Sequence, residues 1–170
     1  AITIEAGKVK IRDCTVQASA DRSIGILVVN YNSEPSIKNT QIHQCKGNGL
    51  VIENQGRGKY AYNSIFDNVA FGIVCRGEVR PQVKHNKVFE NGYSGLMICE
   101  DSKGIYTGNE VYQNRQHGII IEKNAKPVCK LNNVYKNGKC GILVQGQGLG
   151  KLANNHVFMN TETGVELRKA

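Results

Sequence analysis

No Cys-x-x-Cys pair occurs among the six cysteines, so neither a thiolate zinc knuckle nor a disulfide framework is indicated. No apolar run approaches the roughly 20 residues of a membrane-spanning helix, and no signal-peptide pattern opens the chain. A phosphate-cradling glycine loop leading into a helix is missing, which removes nucleotide binding. The four aspartates, Asp13, Asp21, Asp67 and Asp101, share no spacing, so a calcium-dependent lyase site has no ligand cluster. Despite many asparagines there is no Asn-x-Ser/Thr acceptor. A helical 3.6-residue period is also missing throughout.

What is present is repetition. A glycine followed by aliphatic residues starts at Gly25 and returns at Gly49, Gly72, Gly95, Gly118, Gly141 and Gly164, in one step of 24 and five of 23 residues. Asn63, Asn86, Asn109, Asn132 and Asn155 keep the same step, with Thr40 and Cys14 ahead of them. So do Asn68, Asn91, Asn114, Asn137 and Asn160, preceded by Cys45. Between these rows lie the aliphatic column Ile42 to Val157 and the ring-bearing column His43, Phe66, Phe89, Tyr112, Tyr135 and Phe158. A period in the twenties is the mark of a solenoid, whose single repeats cannot bury their apolar faces alone.

Each repeat holds two or three short β-type runs separated by Gly or Asn. The leucines and helical half of a leucine-rich repeat are lacking. The expected fold is therefore all-β: a single parallel β-helix of about seven 23-residue rungs, stacked ~4.8 Å apart into a rod of roughly 34 Å. Asparagines stacked at corners would bond their copies above and below, and Asn tolerates left-handed backbone. The recurrent glycine is expected where the chain turns sharply into a strand.

A 46-residue beat lies over the short one: Pro35, Pro81 and Pro127 alternate with Gly58, Gly104 and Gly150. Only the region Ala18–Asp21 carries a small insertion. Residues 1–170 form one domain, expected to be a fragment of a longer protein because neither end shows a capping helix.

Strand alternation assigns the surfaces. If the first and third residues of each triplet point inward, Leu27, Val51, Val74, Met97, Ile120 and Leu143 form an outward strip, ended by Glu166. Such a strip would span several hundred Å², near the upper limit for a bare monomer surface. It is read either as a partner-binding face or as a face another part of the protein covers. Net charge is +8. Arg57, Arg80, Lys103 and Lys126 stack in one phase as a second candidate contact, a basic edge. That edge is either a solvated corner, partly neutralised by Glu78 and Asp101, or a groove for a phosphopeptide, nucleic acid or acidic sugar. Aromatics are not interleaved with it, which counts against nucleic acid.

Catalytic constellations are thin. Glu53 and Glu122, in the row Glu53, Arg76, Cys99, Glu122, Gln145, Arg168, are three rungs apart, ~14 Å, beyond what glycoside hydrolysis uses. His117 and Cys140 share a phase on adjacent rungs, but no third residue orients them as a dyad. His43 and Cys45 lack further metal ligands. No catalytic residue, metal or cofactor is expected. Unpaired buried thiols suit a reducing compartment, hence cytoplasm or nucleus.

The alternation of SEPSIKNTQIHQC with GRGKYAYNSIFDN, and of VRPQVKHNKVFEN with SKGIYTGNEVYQN, resembles the β-helical repeats of F-box proteins that select substrates for ubiquitin ligases. It is similar also to the β-helix of the Shc SH2-domain-binding protein. Both belong to a group of repeats shared with carbohydrate-binding proteins and sugar hydrolases. The resemblance implies a right-handed β-helix used as a non-enzymatic protein-recognition domain, as in a ligase adaptor or signalling scaffold. The expected partner is a protein, with no nucleic acid and no membrane. Two other readings stand beside it: a carbohydrate-binding or polysaccharide-cleaving β-helix, and an architectural rod. Glycan binding would require exposed aromatic platforms beside acids, and a packed interior location for the Phe66–Phe158 row would remove the best candidates.

Overall fold

A computed structural model describes residues 1–168. Its 22 strands form three parallel sheets, and the described residues contain no helix. The first sheet has eight strands, from Ile2–Ile4 through Ile26–Val28 and on to Val165–Leu167. The second has seven, from Lys10–Arg12 to Lys151–Ala153, and the third seven, from Thr15–Val16 to His156–Phe158. Residues 23 apart are Cα partners, as in Ile73↔Leu96 and Val88↔Val111, so every rung lies on the one before it. The chain is the expected β-helix.

Alternation within each short strand fills the interior. Ile26, Val28, Ile52, Ile73, Ile98 and Ile119 from the first sheet meet Ile37 and Val83 from the second and Ile42, Val88 and Val134 from the third. Burying each such side chain contributes about 1.5–3 kcal/mol. The second sheet's inward column alternates in size: Ile37, Tyr60, Val83, Tyr106, Cys129. Both tyrosines are fully buried and satisfy their hydroxyls by donating to the carbonyls of Arg57 (2.6 Å) and Lys103 (3.4 Å). This alternation is the interior side of the 46-residue beat.

The same beat governs the outer corner. Gly58, Gly104 and Gly150 have φ of 121°, 111° and 140°, a region that strains any residue with a Cβ. A Cβ on Gly58 would also lie 2.6 Å from the Pro35 carbonyl oxygen, and one on Gly104 would lie 2.6 Å from that of Pro81. Each proline ring therefore seats on the glycine of the next rung.

Asparagine ladders close the other two corners. Asn86 Oδ1 accepts from Asn63 N and Nδ2, both at 3.0 Å, while Asn86 Nδ2 donates to Tyr60 O (2.9 Å) and Asn109 Oδ1 (3.0 Å). The row Asn68 to Asn160 repeats the pattern. One expectation needs correction here. The left-handed residue is the one before each ladder Asn: Tyr62 (φ 59°), His85 (53°) and Leu131 (56°) in one row, Asp67 (51°) and Glu90 (53°) in the other. The asparagines fix the corner by hydrogen bonding, and their neighbours carry the backbone strain.

The recurrent glycine also has a different cause from the one expected. None of these glycines has positive φ. What forbids a side chain is contact: a Cβ on Gly118 would lie 2.6 Å from the Gly141 oxygen and 2.9 Å from Asn137 Nδ2. Gly118→Ala is expected to destabilise by about 1–3 kcal/mol through overpacking. Gly164→Ala, whose new Cβ meets only Val157 Cγ1 at 3.7 Å, should leave the melting curve unchanged by circular dichroism.

Candidate functional site

The outward faces of the three sheets differ sharply in chemistry. On the first, Leu27, Val51, Val74, Met97, Ile120 and Leu143 do point away from the interior, since only their neighbours join the core cluster. Yet Val51 is 1% exposed, Leu143 2%, and Val74 and Ile120 7%; Leu27 and Met97 are half-buried. Each lies between its column neighbours one rung away, with Thr3 next to Leu27 and Glu166 next to Leu143 at the two ends. The expected bare strip of several hundred Å² is therefore not there. Beside it, Glu53 is paired with Arg76 (2.7 Å), and Glu122 accepts from Gln145 (2.8 Å). Glu53 is thus neutralised and Glu122 is hydrogen-bonded to a neutral amide, so the row holds no pair of free carboxylates.

On the third sheet the ring column lies outside the interior and half-buried, stacked face to face. His43–Phe66 centroids are 4.7 Å apart, Phe66–Phe89 and Phe89–Tyr112 4.9 Å, and Tyr112–Tyr135 5.0 Å. The faces of these rings are occupied by one another, which leaves only edges for a ligand. An exposed aromatic surface is found instead at Tyr62, 61% exposed and stacked at 5.3 Å on His85, directly after the strand Lys59–Ala61 of the second sheet.

The second sheet is basic. Its seven strands contain no Asp or Glu, and their outward positions include Lys10, Arg12, Lys38, Lys59, Lys84, Lys130 and Lys151. The inward neighbours Ile37, Tyr60 and Val83 are fully buried, so the pleat forces the cations outward. Over the first four rungs these side chains line a groove of 560 Å³. Its walls are Lys8, Lys10, Arg12, Lys38, Arg57, Lys59 and Arg80, with Glu34 the one carboxylate and Pro35, Ser36, Gly58 and Gln82 completing the floor. Glu34 Oε1 lies 3.6 Å from Arg57 Nη1 and offsets a single charge.

Of the predicted basic edge, Arg57 and Arg80 enter this groove. Lys103 and Lys126 continue the same row toward later rungs and are exposed. Glu78 and Asp101 make no ion pair with Arg80 or Lys103 among the described residues. Sequence reasoning missed Lys8, Lys10, Arg12, Lys38 and Lys59 as part of a site. The available signal was the lack of acidic residues in every run that follows a Pro or Gly corner.

The thiols are chemically quiet. Burial pushes Cys75 and Cys129 up to about 12 and Cys99 up to about 11. Burial, with hydrogen bonds to Glu166 and Glu162, pushes Cys140 up to about 11. A thiolate is the reactive form, so the folded protein should react with one equivalent of a chromogenic disulfide reagent at neutral pH, at exposed Cys14. Unfolding in denaturant should release all six.

No curated protein matches the chain. Among solved structures it is similar to the A-module of the mannuronan C-5 epimerase AlgE4 of Azotobacter vinelandii, with 18% identity and a TM-score of 0.71 over 90% of this chain and 41% of that one. It is similar also to the periplasmic alginate epimerase AlgG, with 16% identity and a TM-score of 0.72 over 96% of this chain and 51% of that one. The chain thus spans about half the length of these structures or less, and at such identity the likeness is one of fold. These neighbours correct two expectations, that the domain recognises proteins and that it is not an enzyme: the proteins it resembles are epimerases. The resemblance to F-box and Shc-binding repeats holds at the level of the β-helix and carries no ligase function. Because the family model for the right-handed β-helix region matches residues 1–88 and 25–170, the chain belongs to the right-handed β-helix family.

Proposed function

We propose that this β-helix binds an acidic polysaccharide along the basic groove of its second sheet, as a carbohydrate-modifying domain. One observation carries the reading: seven cations against one carboxylate line a groove that runs across successive rungs. A rod with ~4.8 Å between rungs presents a cation ladder on a scale that suits a polymer bearing one carboxylate per sugar ring. Tyr62 at the corner of the same strand offers a ring face for a sugar. The alginate epimerases that share the fold support the substrate class. The free thiols favour a reducing, intracellular setting.

The lining also favours one kind of chemistry. Hydrolysis uses two carboxylates about 5–9 Å apart, and the groove has only Glu34. Arg and Lys clustered on a uronate carboxylate would instead stabilise the charge that develops when the adjacent carbon loses its proton. That step underlies both epimerisation and elimination.

Polymannuronate, polygalacturonate, neutral dextran and polyphosphate distinguish the outcomes in affinity electrophoresis at low and high salt. Retention by the uronates, none by dextran and weaker retention by polyphosphate is expected. Equal retention by dextran, or stronger retention by polyphosphate, would remove the reading. Proton NMR of the anomeric signals and ultraviolet absorbance of unsaturated ends then report epimerised or cleaved product.

A further inference from the structure

The row that ends in Cys140 brings together donor atoms that the groove does not use. Cys140 Sγ lies 2.8 Å from Glu166 Oε2 and 3.4 Å from Glu162 Oε2. One ligand atom from each of the three residues lies within 4.8 Å of the other two. Cys140 is buried, Glu166 half-buried and Glu162 exposed, so the cluster opens to solvent on one side. Arg168 grips Glu166 through Nε to Oε1 (2.7 Å) and Nη2 to Oε2 (3.0 Å), which fixes the carboxylate's orientation.

A second observation comes from the preceding rung. His117 occupies the row position 23 residues before Cys140. It is 6% exposed, and its Nδ1 is buried without a hydrogen-bond partner. A buried polar atom left unpaired costs about 1–3 kcal/mol, so one in a folded protein calls for a cause. The ring flanks the cluster one rung away, next to the backbone bond from Gly118 N to Cys140 O (3.1 Å), and is not one of the three mutually close donors.

We propose that Cys140, Glu162 and Glu166 form a binding site for one zinc ion, with the fourth position open to water on the solvent side. Three protein donors, one sulfur and two oxygens, with water in the fourth position match tetrahedral zinc. The thiolate selects it over magnesium and calcium, which take oxygen ligands. Charge balances as well: a thiolate and two carboxylates beside the Arg168 guanidinium leave two negative charges for a divalent cation. The thiol proton, already directed at Glu166, is released to solvent on binding.

Cobalt(II) added to the reduced, chelator-treated protein reports the ligands directly. One equivalent is expected to bind with a near-ultraviolet thiolate-to-cobalt charge-transfer band, and zinc should displace it. Cys140→Ser should abolish the band while Cys14→Ser retains it. Glu162→Gln alters an exposed side chain and cannot act by unfolding the rod; it should weaken binding tenfold or more, on the order seen for perturbed metal shells. A band that survives Cys140→Ser, an affinity indifferent to Glu162→Gln, or no cobalt bound by the unaltered protein overturns the proposal. None of these readouts involves polysaccharide, so they stand apart from the groove.

Discussion

Asn109→Leu is expected to lower stability by roughly 2–5 kcal/mol, since each buried donor left without a partner costs about 1–3 kcal/mol. Asn109 is 1% exposed. Its Oδ1 accepts from Asn86 N and Asn86 Nδ2, both at 3.0 Å, and its Nδ2 donates to Val83 O (3.0 Å) and Asn132 Oδ1 (2.9 Å). Leucine fills a similar space but strands the Asn86 amide and one of its side-chain hydrogens inside the rod. In a chain of this length the midpoint should fall by about 10 °C. Asn133→Leu, at an exposed position one rung further on, should change it by no more than about 0.5 kcal/mol. Equal effects from the two variants would mean that the ladder is ornamental and that the aliphatic columns alone hold the rungs together.

Lys38→Glu combined with Lys59→Glu should weaken retention of a polyuronate about a hundredfold. Both side chains are exposed and line the groove. Each reversal replaces an exposed attraction worth up to about 1 kcal/mol with a repulsion, so the pair sums to roughly 3 kcal/mol, near two decades in affinity. The loss should be far larger at 0.05 M salt than at 1 M, where the Debye length shrinks to about 3 Å. Arg115→Glu with Lys136→Glu makes the same change in net charge at exposed sites outside the groove lining. That second pair should cost no more than about threefold, because screening confines each charge to its neighbourhood. If both pairs weaken binding alike, the polymer is responding to overall charge and the groove has no special part.

The fold was legible because stacking places residues 23 apart in one environment, so the same physical demand returns at each turn. Asparagine, glycine and aliphatic residues each report one such demand. The left-handed corners were not legible: Tyr62, His85, Glu90 and Leu131 share that backbone with no common side chain. The ladder asparagine after them holds the corner whatever precedes it.

The groove was half legible. Arg57, Arg80, Lys103 and Lys126 share a phase and stood out, whereas Lys10 and Arg12 pair with Ser36 and Lys38 at a spacing of 26. The small insertion in the first rung moves these cations out of the common register. The apolar strip failed for another reason. Alternation gives the direction in which a side chain points, but not how much of it the surroundings cover, and Val51 and Leu143 are almost wholly hidden. Function went astray at the resemblance: repeats fix a scaffold, while activity resides in the side chains mounted on it.

Seating each proline ring on the glycine of the following rung, with the large side chains Tyr60, Tyr106 and Leu152 inside every second turn, gives the molecule a unit of growth. Excising 46 residues brings together the same complementary surfaces and shortens the rod cleanly. Excising 23 would set ring against ring outside and small residue against small residue within, opening a void. Length in such a protein is therefore inherited in pairs of turns, and with it the number of cations its basic flank presents.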